Sequence, residues 1–421
     1  MFMYLKGSKW HMQRRRRRRS NPLIIIVLVL MIGAVVYFNS IVIPTIPQAI
    51  QPTATATSDP EQLLTRARQL YDEGNLTLAI EAYKDAILTD ATNPATFVEL
   101  ARVQVQAGDY VSAETSARNA LLLNPKNPMA HAMLGWSLNF LGQSLEAEVA
   151  LDRAIDLDPQ NALAHAFLSE LLADNGDYVA ASDESRTAMA IDDQSLEVRR
   201  ARAYVLELTG NYEEALQEYQ TAIAKNDKIP DLYLGLGRTY RALQQYPEAI
   251  DAFGQANALN PADPLPETYT SQVYVTIGEY GKAVQFAEQA LRDEPGKPQR
   301  WGNLGVALYR NLQYAEAVDA LRFAVQGGTT EEGIVVEGLP IDYPVAEYYY
   351  LFGFALARTQ QCSQAIPIAQ ALISNLSADF TSVANGEAII ELCSSGPQED
   401  GTPSSAEPTP EGEGHHWGAR A

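Results

Sequence analysis

Cysteine and histidine are the side chains with chemistry to offer near neutral pH, and this chain holds few: Cys362, Cys393 and five histidines in 421 residues. In an oxidising exterior the two thiols can close a disulfide; the other reading is two isolated small apolar side chains. His131 and His165 stand 34 residues apart and invite a metal reading, but no HExxH pattern or cysteine accompanies them. Their place in the local pattern is a core-facing helical one. His415-His416-Trp417 has nothing to organise it, and Gly235-Leu236-Gly237 lacks the third glycine and preceding strand of a dinucleotide site. Nucleophile, base and orienting group never recur at a spacing that would assemble a catalytic site. No enzyme activity, metal or cofactor is therefore expected of the chain.

What must position every side chain here is a 34-residue pattern written eight times between residues 60 and 327. One alanine column is Ala79, Ala113, Ala147, Ala181, Ala215, Ala249, Ala283 and Ala317; the second, seven residues on, runs from Ala86 to Ala324. Twelve residues before the first column stand Ala67, Ala101, Gly135, Ser169, Ala203, Gly237, Ser271 and Gly305, all small. Helix axes can approach to about 8 Å only where side chains are nearly absent. Repetition of this length predicts stacked helix pairs, with glycines such as Gly108 and Gly176 ending each first helix and Asn124-Pro125 or Asp158-Pro159 ending each second. Arg199 and Arg202 fall at core-facing positions of the fifth unit, where a hinge or a charged contact is expected.

Charge divides the chain. The formal net charge is -21, yet the first 22 residues hold eight basic residues and no acid, so the remainder is more acidic still. Phosphates would be repelled by that body, and nucleic acid is not expected as a partner. Residues 1–22 form a basic arm ending in six arginines; residues 23–43 are almost wholly apolar and, as a helix of about 30 Å, long enough to cross a bilayer. Arginines at one end predict that this end stays cytoplasmic and that the repeats lie outside, on a single-pass anchor. A Pro/Thr-rich spacer occupies 44–59, an insertion of 14 residues interrupts the register in a loop at 328–345, a ninth pair and a capping helix follow over 346–393, and an acidic tail at 394–421 is expected to be disordered. Counting along the ninth unit's second helix and back down the cap returns Cys393 to the level of Cys362, which favours the disulfide.

Small-x(11)-Ala-x(6)-Ala, with Gly-Asp-Tyr between the helices and Asp-Pro after them, resembles the tetratricopeptide repeat family over well over half the chain. The resemblance implies an all-α, right-handed solenoid of about nine helix pairs with a capping helix, and a concave groove lined by the first helix of each pair. Carried onto this sequence, the groove positions include Arg68, Arg102, Trp136, Phe140, Arg200, Tyr204, Arg238, Arg241, Tyr309 and Arg310. An arginine and tyrosine cluster in an acidic body is suited to carboxylates or an acidic segment; the bland reading is local charge balance. The Lys/Asn carboxylate clamp of chaperone-binding members is not matched. The expected function is a membrane-tethered scaffold that holds a segment of a protein partner, the alternatives being a secreted or periplasmic carrier of a small ligand or polysaccharide, or a non-catalytic subunit of an envelope enzyme complex.

Overall fold

Nine times among the described residues a first helix is stopped by one residue in the left-handed backbone region. At positions 74, 108, 142, 176, 210, 244, 278, 312 and 360 φ lies between 59° and 83°. Six are glycine, which adopts this region freely. Gln244, Leu312 and Gln360 fill the other three at a cost of about 1 kcal/mol each. Helix starts have an equally local cause: Asn93, Asn127, Asn161 and Ser195 accept hydrogen bonds from the first backbone N–H groups of the helices they precede.

A computed structural model describes residues 22–37 and 59–395. The chain divides into two units, 1–57 and 58–421. In the first, Pro22–Tyr37 is a helix of 16 residues. Among the described residues no helix is long and apolar enough to cross a membrane. The apolar span expected over 23–43 is thus described only to Tyr37, and its remainder, the arm, the spacer up to residue 58 and the tail from 396 lie outside the described residues.

The second unit is a helical row. Its pairs are Pro60–Asp72 with Leu76–Thr89, Pro94–Gln106 with Tyr110–Leu123, Pro128–Phe140 with Ser144–Leu157, Ala162–Asp174 with Tyr178–Ile191, Leu196–Leu208 with Tyr212–Lys225, and Pro230–Ala242 with Tyr246–Leu259. Leu265–Thr276 with Tyr280–Asp293, Pro298–Arg310 with Tyr314–Gln326, and Ala346–Arg358 with Cys362–Asn375 follow, and Phe380–Ser394 covers the end. Each pair is called a repeat below, numbered 1 to 9. Every alanine of the column from Ala79 to Ala317 is 0% exposed. The approach there leaves no room for more: a Cβ at Gly135 would lie 2.4 Å from Leu151 Cγ, and one at Gly305 2.4 Å from Leu321 Cγ.

First helices of successive repeats pack on one another from repeat 2 to repeat 9, whereas second helices pack mainly on the first helices beside them and, in repeat 9, on the capping helix. A row packed more closely along one side curves toward that side. First helices therefore line its inner face.

Three local features depart from the plain repeat. Arg199 and Arg202 are accommodated by polar contact and not by a hinge, Arg199 Nη1 donating to Glu218 Oε2 at 2.6 Å and Arg202 Nη1 to Ser185 Oγ at 2.9 Å. The insertion folds back as a two-stranded antiparallel ribbon, Gly328–Thr329 against Val335–Val336, tied down where Leu339 N donates to Ala324 O and Tyr349 Oη to Leu339 O. Its Ile334 lines an open surface pocket together with Leu291, Pro295 and Trp301, away from the inner cavities described below. Cys362 and Cys393 are joined as a disulfide with Cα atoms 5.5 Å apart, fastening the cap to repeat 9.

Candidate functional site: the inner face of the row

Arg102 projects from the first helix of repeat 2 and meets Glu197, on the first helix of repeat 5, 95 positions later: Nε donates to Oε1 at 2.6 Å. Gln106 Nε2 donates to the same oxygen at 2.8 Å, and Ser195 Oγ to Oε2 at 3.1 Å. Glu197 is 1% exposed. Burial alone would push its carboxyl up, but the Arg102 charge and hydrogen bonds outweigh that and hold it below the ordinary glutamate value. Two further contacts close the same gap. Asn226 Nδ2 reaches Tyr71 O at 3.4 Å, and the Lys228 side chain fills the space over Gly74. Repeats 1 and 2 are thereby fastened to repeat 5 and the loop after it, and the inner face of this half is bridged; an open cavity of about 840 Å³ lies beside the bridge, lined by Tyr71, Arg102, Leu163, Ser195, Glu197 and Asn226 among others.

Behind that contact the aromatic residues are packed and not displayed. Trp136 is 2% exposed, stacked on Phe167 with centroids 4.2 Å apart; Phe140 stacks on Tyr110 at 4.3 Å. Arg200 lies over the Trp136 ring at 5.1 Å and donates to Glu170 and, at 2.7 Å, to Asp231. Tyr204 donates its hydroxyl to Asp174, and its ring sits under Arg238.

Further along, successive first helices are joined by side chains 30 or 31 residues apart, one repeat less about one helical turn. Arg238 grips Glu207 through Nε at 2.7 Å and Nη2 at 2.9 Å. Arg241 Nη1 donates to Gln272 Oε1 at 2.6 Å, and Gln272 Nε2 to Asn303 Oδ1 at 3.4 Å. The next step crosses the insertion, so Tyr348 Oη reaches Asn303 Oδ1 at 3.2 Å from 45 positions away. This polar ladder floors an open cavity of about 490 Å³ lined by Arg241, Tyr246, Gln272, Val275, Asn303 and Glu347 among others. We call it the trough.

Arg241 differs from the arginines around it. Arg102, Arg200, Arg238 and Arg310 each have a carboxylate within 4 Å. Among the described residues Arg241 has none: its partners are the neutral Gln272 amide and the Tyr269 ring, 5.1 Å from Cζ. Desolvation lowers its pKa from the ordinary arginine value and the Arg238 charge adds to that, with Tyr269 and Glu207 offsetting only part. A cation held in this way is poised for an external carboxylate.

The groove residues expected from sequence are therefore not one surface. Trp136, Phe140, Arg200 and Tyr204 belong to the bridged half, where the arginines are held by the chain's own carboxylates; Arg238 borders both halves. Arg241 lines the trough. Tyr309 is buried against Tyr314, its hydroxyl pushed up to about 12 by burial, and Arg310 faces Glu347 at 3.8 Å. Arg68 is exposed in repeat 1 and lines neither the trough nor the cavity beside Glu197. Gln106, Glu197, Glu207, Gln272 and Asn303 had no place in the sequence reading. A search for complementary pairs 31 residues apart would have found the ladder, but nothing local marks Glu197 as the partner of Arg102.

His131 and His165 are accounted for by turn geometry. His131 and His165 share a register position with Trp301, and each directs a ring nitrogen to the carbonyl of a proline six residues earlier, at 3.1, 3.2 and 2.8 Å. The other nitrogen of His165 is 2.6 Å from Glu184 Oε2.

Two family models, both described as tetratricopeptide repeat, match the chain, one over residues 70–136 and 208–267 and the other over 140–193 and 271–331, together more than half of it. Similar solved structures include the APC/C hetero-tetramer Cut9–Hcn1, with 14% identity over 87% of this chain and 82% of that one and a TM-score of 0.55. A tetratricopeptide repeat protein from Parabacteroides merdae ATCC 43184 has 18% identity over 59% of this chain and 98% of that one, TM-score 0.40. Pseudomonas aeruginosa pilF has 21% identity over 46% and 88%, TM-score 0.39. At such identities the likeness is one of fold. A search of curated proteins found no match.

Proposed function

The chain belongs to the tetratricopeptide repeat family, and from that premise we propose that it is a non-enzymatic scaffold whose trough in repeats 6 to 9 captures an acidic, extended segment of a partner protein. The observation that carries this reading is the carboxylate-free Arg241 on the floor of an open cavity, inside a chain whose net charge is -21. A partner carboxylate takes the position that Glu207 takes on Arg238, while the amides of Gln272 and Asn303 hold its backbone. Affinity rests on few anchors, with Arg241 foremost.

Selection of a displayed random-peptide library on the full chain tests this. Enriched sequences are expected to be acidic, and Arg241→Gln to weaken them about 10-fold or more, the cost of one charge-assisted hydrogen bond. Arg68→Gln should leave them unchanged. Neutral or basic enrichment, or indifference to Arg241→Gln, would remove the trough reading.

The scaffold is proposed to be held at a membrane by residues 23–43, with the basic arm on the cytoplasmic side and the repeats outside. Support comes from the apolar run and the six arginines beside it. Protease added to intact cells is expected to digest the repeats, and alkaline washing to leave the chain with the membranes; a protected or released chain would refute the topology.

A further inference from the structure

Residues 396–421 belong to the same unit as the repeats and hold Glu399, Asp400, Glu407, Glu411 and Glu413 against one base, Arg420. The disulfide fixes where this stretch departs from the row. Cys393, two residues before the last described residue, Ser395, is bonded to Cys362. Cys362 is the first residue of the second helix of repeat 9, the place that Tyr212 and Tyr246 hold in repeats 5 and 6, and both tyrosines line the trough. The acidic stretch therefore leaves along the edge of the row that carries the trough.

Reach is sufficient. Successive first helices pack on one another, and helix axes in contact lie about 10 Å apart, so Arg241 in repeat 6 stands about 30 Å from the level of Cys362 in repeat 9. An extended chain covers at most about 3.5 Å per residue, which carries Glu407 to about 40 Å from Ser395, and Glu411 and Glu413 further, but Glu399 only about 15 Å. Charge favours entry. The trough's own acids, Glu207 and Glu347, are engaged by Arg238 and Arg310, whereas Arg241 is left with the Gln272 amide and the Tyr269 ring.

We propose that the chain's own residues 407–413 fold back into the trough, a carboxylate of Glu407, Glu411 or Glu413 resting on Arg241, and hold the site against outside acidic segments until a partner displaces them. The inference rests on the reading of the trough given above and names what regulates it. A segment joined to its site competes at an effective concentration of about 1 mM, so a tail that binds with a dissociation constant of about 100 µM already weakens an outside segment about 10-fold. A second copy's tail offers the same acids but lacks this tether.

The test compares the full chain with a full-length variant whose tail is neutral, carrying Glu399→Gln, Asp400→Asn, Glu407→Gln, Glu411→Gln and Glu413→Gln. The probe is a fluorescein-labelled peptide with the sequence of residues 399–413, followed by anisotropy. The neutral-tail chain is expected to bind it saturably, and the unaltered chain about 10-fold more weakly or worse. Adding Arg241→Gln to the neutral-tail chain should also cost about 10-fold. Benzoylphenylalanine in place of Thr276, an exposed trough residue, should crosslink on illumination to residues 396–421 of the same chain, and this decides the matter if Arg241→Gln impairs the helical circular dichroism. Crosslinks that join two copies would put a second molecule's tail in the trough and overturn the proposal. So would equal binding of the peptide by the two chains, or indifference to Arg241→Gln. Acidic library peptides that bind both chains equally, through Arg241, would sink this inference and leave the trough reading standing; no Arg241-dependent peptide on either chain would remove both.

Discussion

Repeats 1 to 5 and repeats 6 to 9 are cut from one pattern, yet one half is bridged across its inner face and the other is not. The alanine column is fully buried in both, so stacking does not make the difference. Side chains on the inner face do. In the first half Arg102 and Gln106 reach across to a buried Glu197; in the second, Arg241, Gln272 and Asn303 reach only to the next repeat. Whether a curved row becomes a bridged turn or a trough is decided by the reach of a few polar groups, while the small residues settle only that there is a row.

The largest test of this contrast is Arg102→Gln, expected to remove about 4 kcal/mol from the first half because it leaves the buried Glu197 charge without its partner. Hydrogen exchange should show faster opening of repeats 1 and 2 with repeats 7 to 9 unaffected; unchanged protection would mean that the bridging has another cause. Acid should act in the same direction. The folded Glu197 carboxyl titrates below the ordinary glutamate value, so its stabilisation is fully present above that value, where both states are ionised. It is lost as pH falls from the ordinary value through the folded one, since the unfolded chain takes up its proton first.

A smaller effect examines what the halves share. Gly135→Ala in the bridged half and Gly305→Ala in the unbridged half each force a Cβ to 2.4 Å from a leucine Cγ, and each should cost about 2 kcal/mol by overpacking. Thermal unfolding of the two variants would separate the halves if one loss were much the larger. The smallest effect is a gain. Leu312 holds a left-handed turn at φ 63° and is 71% exposed, so Leu312→Gly should stabilise by about 1 kcal/mol, and Gly142→Ala, at φ 71° with nothing near its absent Cβ, should lose a similar amount by the same measurement.

These expectations show where the sequence was readable. The alanine columns, Gly108 or Gly176 at helix ends and the Asn-Pro breaks act within one repeat, where spacing along the chain equals position in space. The bridge is different in kind. Arg102 and Glu197 are 95 residues apart, and their meeting depends on how tightly four repeats wind, a sum of small rotations that no single repeat encodes. Arg200 and Arg241 therefore looked alike as groove arginines, although one is sandwiched between carboxylates and aromatic rings and the other is left with an amide. The insertion was recognised by its broken register, but the pocket it lines with Trp301 and Leu291 rests on tertiary fit.

The sulfur bridge between Cys362 and Cys393 gives the far end of the row a dependence on its surroundings that the near end lacks. A linear array frays from its termini, and the terminal helix covers the apolar flank of the ninth pair, where Ala365, Ala369 and Leu372 are wholly shielded. In an oxidising milieu that flank stays sealed covalently. Under reducing conditions only ordinary packing retains the lid, and the first surface uncovered would be a greasy strip suited to adhesion between molecules, so storage with a strong reductant should favour aggregation from this end.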